Sequence, residues 1–283
     1  MKIIIGSANF SHKYGINKSK ISSISELKKI INYCKNNKIN NIDDAISYGN
    51  VDGVFKEINT KDLKFITKIK LPKNYKLIKD LRLYFLKIIK NSLKVLGQKK
   101  YSCLLAHEVS RNKKKNILLL DILNFIKKKN LTSKIGISAY NPKEVYSVLN
   151  LSKLDVVQIP FNVLDRRLIS SKLIDVLSRK KIEIQVRSIF LQGVLLTKKT
   201  PLKLKKYHNI LEDWQKWCSR KKLNKLRACL HFVKQFDKIS SIIIGIHDIK
   251  QLKEIIKFLK EKTIDISYKN ITKNNNIIDP RMW

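Results

Sequence analysis

The chain has 283 residues, 43% of them hydrophobic, enough apolar material for one large core or two modest ones and too much for a disordered chain. Sixty Lys and Arg face 22 Asp and Glu, a formal net charge of +38, which raises the question of a polyanionic partner. The lysines are spread over nearly every helix-like segment, with no arginine-rich arm, zinc-knuckle spacing or aromatic-basic ribonucleoprotein motif, so the charge is read as compositional bias on solvated faces; specific nucleic-acid binding is not expected, and an anionic small substrate stays compatible with it.

Short β-branched runs alternate along the chain with longer segments of helical period. KIIIGSA (2–8) is the first strand candidate, and the turn after it, GSANFSHKYG, lacks the GxGxxG spacing of a dinucleotide-binding open sheet. SISELKKIINYCKNNK then places Ile24, Leu27, Ile30, Ile31 and Cys34 at three- and four-residue intervals, a helix with Ser25 positioned to cap it. NNIDDA (40–45) is the second strand, followed by the short VDGVFKEIN, which carries a glycine. KFITKIK (64–70) is the third, followed by a helix in NYKLIKDLRLYFLKIIKNSLKVLG that ends at Gly97. YSCLLAHE (101–108) precedes the helix KNILLLDILNFIKKKN, and SKIGISA (133–139) precedes NPKEVYSVLN, with Pro142 in the first helical turn. LDVVQIPF (154–161) leads into RRLISSKLIDVLSRKK. After the seventh strand, EIQVRSI (183–189), the stretch from Lys199 to Phe236 is too long for one crossover helix and is read as two, split near SRKKLNK. SSIIIGI (240–246) and DIKQLKEIIKFLKEK close the series.

Eight strands alternating with helices predict parallel pairing and right-handed crossovers, and in fewer than 300 residues they predict an α/β fold closed as a (β/α)8 TIM barrel. With no Gly- or Pro-rich linker, residues 1–283 are read as a single domain; an open doubly wound sheet is the competing architecture. Cys34, Cys103, Cys218 and Cys229 form no CxxC pair, so reduced thiols are expected and neither a zinc site nor a disulfide framework. The N-terminal apolar run is too short for a signal peptide, and no apolar stretch approaches the ~20 residues that span a bilayer. A cytoplasmic protein without membrane contact is the expectation.

In such a barrel chemistry gathers at the carboxyl ends of the strands. Asp43 falls near the end of the second strand, Tyr48 in the loop after it, Lys68 toward the end of the third and His107 at the end of the fourth. The set suits carbonyl reduction: negative charge develops on oxygen and an acid must protonate it. An ammonium beside a phenol favours the phenolate, an aspartate holds the ammonium, and a histidine orients the carbonyl oxygen. Singly, each has an ordinary reading: a rim aromatic, a solvated lysine, a hydrogen-bonded histidine, a turn cap. His12, His208 and His231 have no metal-ligand spacing, so no metal site is expected. Arg166 and Arg167 follow the sixth strand, placed either to meet an anionic substrate group or to form ion pairs on the next helix.

These segments together resemble the aldo/keto reductase family. Its D-T-A-x-x-Y-G is matched by Asp43, Asp44, Ala45, Tyr48 and Gly49, its T-K by Thr67 and Lys68, and its L-x-H by Leu105 and His107. IGISAYNPKE and VVQIPFNVLDRR resemble the nicotinamide-side segments, and SIIIGIHDIKQLKEI the adenosine-side one. The resemblance implies Tyr48 as general acid, with Lys68 and His107 tuning and orienting it and Asp43 anchoring the lysine. It implies a cofactor held by Ser138 and Gln158 at the carboxamide, by Ser188, Leu191 and Gln192 in the loop after the seventh strand, and by Gly245, His247 and Gln251 on the adenosine side. NADPH is the implied reductant, with NADH the alternative; Lys250 offers a point charge for a 2′-phosphate but no arginine fork is evident. Departures from the pattern are Asp44 for threonine, Ala139 for asparagine with Asn141 as a substitute contact, and Ser188 where the stacking tyrosine usually stands. Strand alternation should point Asp44 away from Asp43. NVLDRR, FLQGVLL and IIDPRMW resemble a bacterial branch associated with sugar or surface-polysaccharide metabolism, so the implied substrate is a small carbonyl compound, sugar-derived or anionic. A cofactor-binding sensor or partner-binding subunit is the alternative function.

Overall fold

A computed structural model describes the chain apart from residues 12–14, 17–20, 50 and 271–273. Its strands are β1 Lys2–Gly6, β2 Asn41–Asp43, β3 Lys64–Ile69, β4 Cys103–Ala106, β5 Ile135–Ser138, β6 Val156–Pro160, β7 Glu183–Arg187 and β8 Ser241–Gly245. Each pairs in parallel with its sequence neighbour and the order closes on itself. The closure is the β1–β8 pair, in which Lys2 to Gly6 run opposite Ser241 to Gly245. An open sheet has no such pair, so the expected (β/α)8 barrel is the fold.

The helices are α1 Ala8–Ser11, α2 Ile24–Asn36, α3 Val51–Lys56, α4 Leu81–Leu96, α5 Lys113–Lys128 and α6 Pro142–Val148. They continue with α7 Arg167–Ser170, α8 Leu173–Arg179, α9 His208–Arg220, α10 Lys225–Lys234, α11 Ile249–Lys260 and α12 Asn275–Ile278. Helix α2 buries Leu27, Ile30, Ile31 and Cys34, the predicted stripe. Its cap is Ser23 and not Ser25: the chain is extended at Ser23, whose side chain accepts the Glu26 amide at 3.2 Å, whereas Ser25 already lies inside the first turn. The segment from Asn74 breaks into a 3-10 turn, Tyr75–Leu77, and α4. Asp80 divides them by capping the Leu83 amide, and Gly97 ends α4 in the left-handed conformation at φ 64°. RRLISSKLID likewise divides into α7 and α8 where Lys172 turns to φ 58°.

Period-two alternation separates two apolar cores. Ile4, Ile66, Cys103, Leu105, Val156 and Ile243 fill the barrel as one cluster. A far larger cluster, with Ile5, Phe65, Leu104, Val157 and Ile244, lies between strands and helices. Close packing inside requires Gly136 on β5, because a Cβ there would stand 2.0 Å from the Val156 carbonyl oxygen. One step farther along the same inner faces, toward the carboxyl ends, the filling turns polar: Lys68 follows Ile66, Ser138 follows Gly136 and Gln158 follows Val156, and all three are buried. All four cysteines are free and buried. Desolvation pushes the Cys34 and Cys218 thiols up to about 12 and raises those of Cys103 and Cys229 as well. Among the described residues no helix is long and apolar enough to cross a membrane.

Candidate active site

A buried hydrogen-bond chain starts on β3. Lys68 Nζ donates to Asp43 Oδ2 at 2.6 Å and to the Asp44 carbonyl at 2.8 Å. The other Asp43 oxygen accepts from Gln158 Nε2 at 2.8 Å, and Gln158 Oε1 accepts from Ser138 Oγ at 3.2 Å. Strands β2, β3, β5 and β6 thus contribute one group each, and the ends of this run are residues expected on separate grounds, two in acid-base chemistry and two in cofactor binding. Asp44 turns the other way and accepts from Ser7 Oγ at 2.5 Å, as strand alternation predicts.

Tyr48 closes a 3-10 turn, Ile46–Tyr48, directly after β2, and Gly49 takes φ 77° to release the chain into α3. Its ring centroid lies 5.4 Å from Lys68 Nζ. The ring meets His107 edge-on, with centroids 5.7 Å apart and planes at 77°. His107 Nδ1 is 3.1 Å from Ser47 Oγ. Burial first, then the charges of Lys68, Arg187 and Lys70, push the imidazole down to about 3. His107 is therefore neutral across the physiological range, a hydrogen-bonding group and not a cation.

Around these residues opens a cavity of about 1000 Å³ to which Asp43, Tyr48, Lys68 and His107 all contribute. Ser138, Gln158, Ser188, Gln192, Gly245, His247 and Gln251 line it too. Leu191 is the exception, since its side chain is buried in the outer core and only its backbone belongs to this loop. Ser188 has φ 57°, and after two residues of ordinary φ the chain turns left-handed again at Leu191, Gln192 and Gly193, with φ of 47°, 52° and 92°. Lys250 is exposed on α11. Asn141 caps α6 through the Glu144 amide and is not among the cavity residues. Arg166 and Arg167 resolve in favour of structural roles. Arg166 donates to the Val163 and Tyr268 carbonyls and lies over Phe232, while Arg167 forms a fork with Asp165 at 2.8 and 2.7 Å.

Sequence reasoning passed over Asn9, Tyr140, Arg187, Lys198, Lys225 and Glu254, which also line the cavity. Arg187 is the most consequential. It is the last residue of β7, and an arginine at the carboxyl end of a barrel strand is itself a signal the sequence carries. Its Nη2 donates to the Ala139 carbonyl at 3.0 Å, and its guanidinium carbon lies 4.5 Å from the Tyr140 ring centroid. Arg281 lies over the same ring at 3.6 Å.

The residues present fit a dinucleotide. The cavity is at the upper end of the size range of cofactor pockets, and buried Asn9 Oδ1 and Arg187 Nε on its wall have no hydrogen-bond partner, as expected of groups that meet a polar ligand. Among the described residues no group of three or more His, Cys, Asp or Glu side chains is arranged to hold a metal ion. His208 pairs with Thr200, and buried His231 accepts the Ile264 amide; His12 lies outside the described residues.

Residues 2–276 match the model of the Aldo/keto reductase family. No curated protein matches the sequence. Among solved structures, an aldo-keto reductase from Bacillus halodurans in its holo form superposes with a TM-score of 0.73 at 15% identity, covering 93% of this chain and 88% of that one. A glycerol dehydrogenase from Gluconobacter oxydans gives 0.71 at 15% identity, covering 93% and 87%. At such identities the likeness is one of fold.

Proposed function

The chain belongs to the aldo/keto reductase family, and from that premise we propose that it reduces the carbonyl group of a small molecule to an alcohol, with NADPH as reductant, NADH as the alternative and Tyr48 as general acid. The observation that carries the reading is the buried Lys68–Asp43 pair set against the Tyr48 ring in a cavity large enough for both reactants. When bound, the nicotinamide supplies a hydride to the carbonyl carbon and is left oxidised. Tyr48 gives its hydroxyl proton to the carbonyl oxygen as the C=O π bond opens, and recovers a proton from solvent. Lys68 lowers the cost of the phenolate by charge attraction, and Asp43, held in turn by Gln158, keeps the ammonium aimed at the ring. Neutral His107 orients the carbonyl oxygen by a hydrogen bond. Ser138 and Gln158 would hold the carboxamide, Ser188, Gln192 and the Leu191 backbone the middle of the cofactor, and Gly245, His247 and Gln251 its adenosine end.

The test uses the purified protein. Both reduced cofactors are titrated by fluorescence, and their oxidation is followed with a panel of aldehydes and sugar-derived carbonyls. Tyr48→Phe keeps the ring and removes the proton; it is expected to lower kcat by ~10²- to 10⁴-fold while cofactor affinity holds. Unchanged turnover in that variant removes Tyr48 as the acid. Tight cofactor binding with no turnover across the panel favours the sensor reading, which the serine at position 188 motivates.

A further inference from the structure

We propose that Arg187 anchors an oxyanion of the substrate, so that the carbonyl compound reduced here carries a carboxylate or a phosphate. The proposal rests on the reductase reading of the site and adds the substrate's charge to it. Four arginines elsewhere, Arg82, Arg167, Arg227 and Arg281, are matched to Asp121, Asp165, Glu261 and Asp279. Among the described residues Arg187, like Arg111, Arg166, Arg179 and Arg220, has no carboxylate in ion-pair contact, but of these arginines it is the one that lines the cavity, in company with Ser138 and His107. Of the five N–H donors a guanidinium carries, one of the two on Nη2 is committed to the Ala139 carbonyl. Nη1 has only a contact at 3.5 Å to Ser188 Oγ, at the limit of a hydrogen bond, and Nε has no acceptor. A guanidinium held this way presents the planar donor edge that suits a carboxylate or phosphate.

The charge balance points the same way. Two acidic side chains line the cavity: Asp43 is committed to Lys68, and Glu254 stands on α11 without an ion pair to Arg187, so the positive field of Arg187, which reaches His107 together with those of Lys68 and Lys70, has no carboxylate paired with it. A substrate oxyanion would. The group is also pre-set: Tyr140 is flanked by Arg187 at 4.5 Å and Arg281 at 3.6 Å, which fixes the guanidinium against the wall before any ligand arrives and spares the ordering cost on binding.

The experiment compares matched pairs, glyceraldehyde with its 3-phosphate and butanal with succinic semialdehyde, in wild type, Arg187→Gln and Arg187→Lys, with folding checked by circular dichroism. A charge-assisted anchor predicts that wild type favours the charged member in kcat/KM by ~10- to 100-fold. In Arg187→Gln the preference is expected to collapse through KM; Arg187→Lys, which keeps the charge and loses the fork, falls between and serves if the Gln variant does not fold. Response of one pair alone names carboxylate or phosphate. Equal use of both members by wild type, or a preference that survives in Arg187→Gln, overturns the anchor and leaves the reductase reading standing. If no carbonyl compound is reduced, the reductase reading fails, and the anchor is decided by titrating succinate and inorganic phosphate against tryptophan fluorescence. Saturation in wild type that Arg187→Gln lacks supports it; equal behaviour in the two overturns it.

Discussion

Lys68 and Asp43 are 2% and 7% exposed as side chains, so removing either one leaves the other desolvated. Lys68→Met is therefore expected to abolish turnover and also to destabilise the fold by ~3–5 kcal/mol, the usual result of orphaning a buried charge. Adding Asp43→Asn should restore much of that stability and none of the activity, which urea unfolding and cofactor oxidation together measure. His107 makes a pH prediction whose sign is unusual for a histidine. Its folded value is about 3, below the unfolded value of ~6.5, so between them the unfolded chain holds the extra proton and stability falls as pH drops. The loss is at most ~1.4 kcal/mol per pH unit below 6.5, and in His107→Gln that part of the slope should vanish. That Asp43, Lys68 and His107 lie at the rim was legible because each sits at or beside a strand end, where alternation sets which way it faces, and Tyr48 because it falls in the turn directly after β2. The continuity from Lys68 through Gln158 to Ser138 was not, since it depends on strands 115 residues apart for the Gln158–Asp43 bond. Nor was the pairing of Arg187 with Tyr140, which arises only when the loop after β5 meets the end of β7, two strands away around the barrel.

At the scale of single elements, the eight strands were visible as short, mostly apolar runs between turn residues, β-branched in all but β4, whose CLLA has no β-branched residue, because burial on both faces keeps such strands largely apolar. Boundaries were harder to read. Ser23 and Ser25 are chemically identical caps, and only the extended backbone at Ser23 distinguishes them. Ser23→Ala should accordingly cost ~1 kcal/mol of stability, while Ser25→Ala should stay within ~0.5 kcal/mol of wild type, a contrast chemical denaturation resolves. The apolar period of this segment runs through Asp80, so the period does not mark the start of α4, which only the cap at Asp80 reveals. In β5 the missing side chain of Gly136 is the constraint. Gly136→Ala drives a Cβ into the Val156 carbonyl at 2.0 Å, a clash with backbone that no rotamer relieves. We expect the β5–β6 pair to part locally, with a loss of ~3 kcal/mol or more and weakened activity, since Ser138 and Gln158 sit on those two strands.

For the molecule as a whole, a formal charge of +38 on 283 residues sets self-repulsion against the apolar cores. The ion pairs on the surface, such as Arg82–Asp121 and Lys238–Asp175, engage few of the lysines. The melting temperature should therefore climb as salt rises from about 10 mM to about 300 mM, where the screening length falls well below the protein's radius; a flat or falling trend in calorimetry would show that local pairing outweighs the repulsion. The closed barrel was legible because eight alternating units leave few other ways to bury their faces, whereas the asymmetry of its filling, apolar at one end and hydrogen-bonded at the other, emerged only with the register of the strands. The seclusion of Cys34, Cys103, Cys218 and Cys229 turns into an experimental handle. A native sample should be nearly silent toward Ellman's reagent, because thiols this protected expose no thiolate, so the rate at which colour develops becomes a clock for how often the structure opens, and a lone cysteine introduced at the surface could carry a dye with no background to subtract.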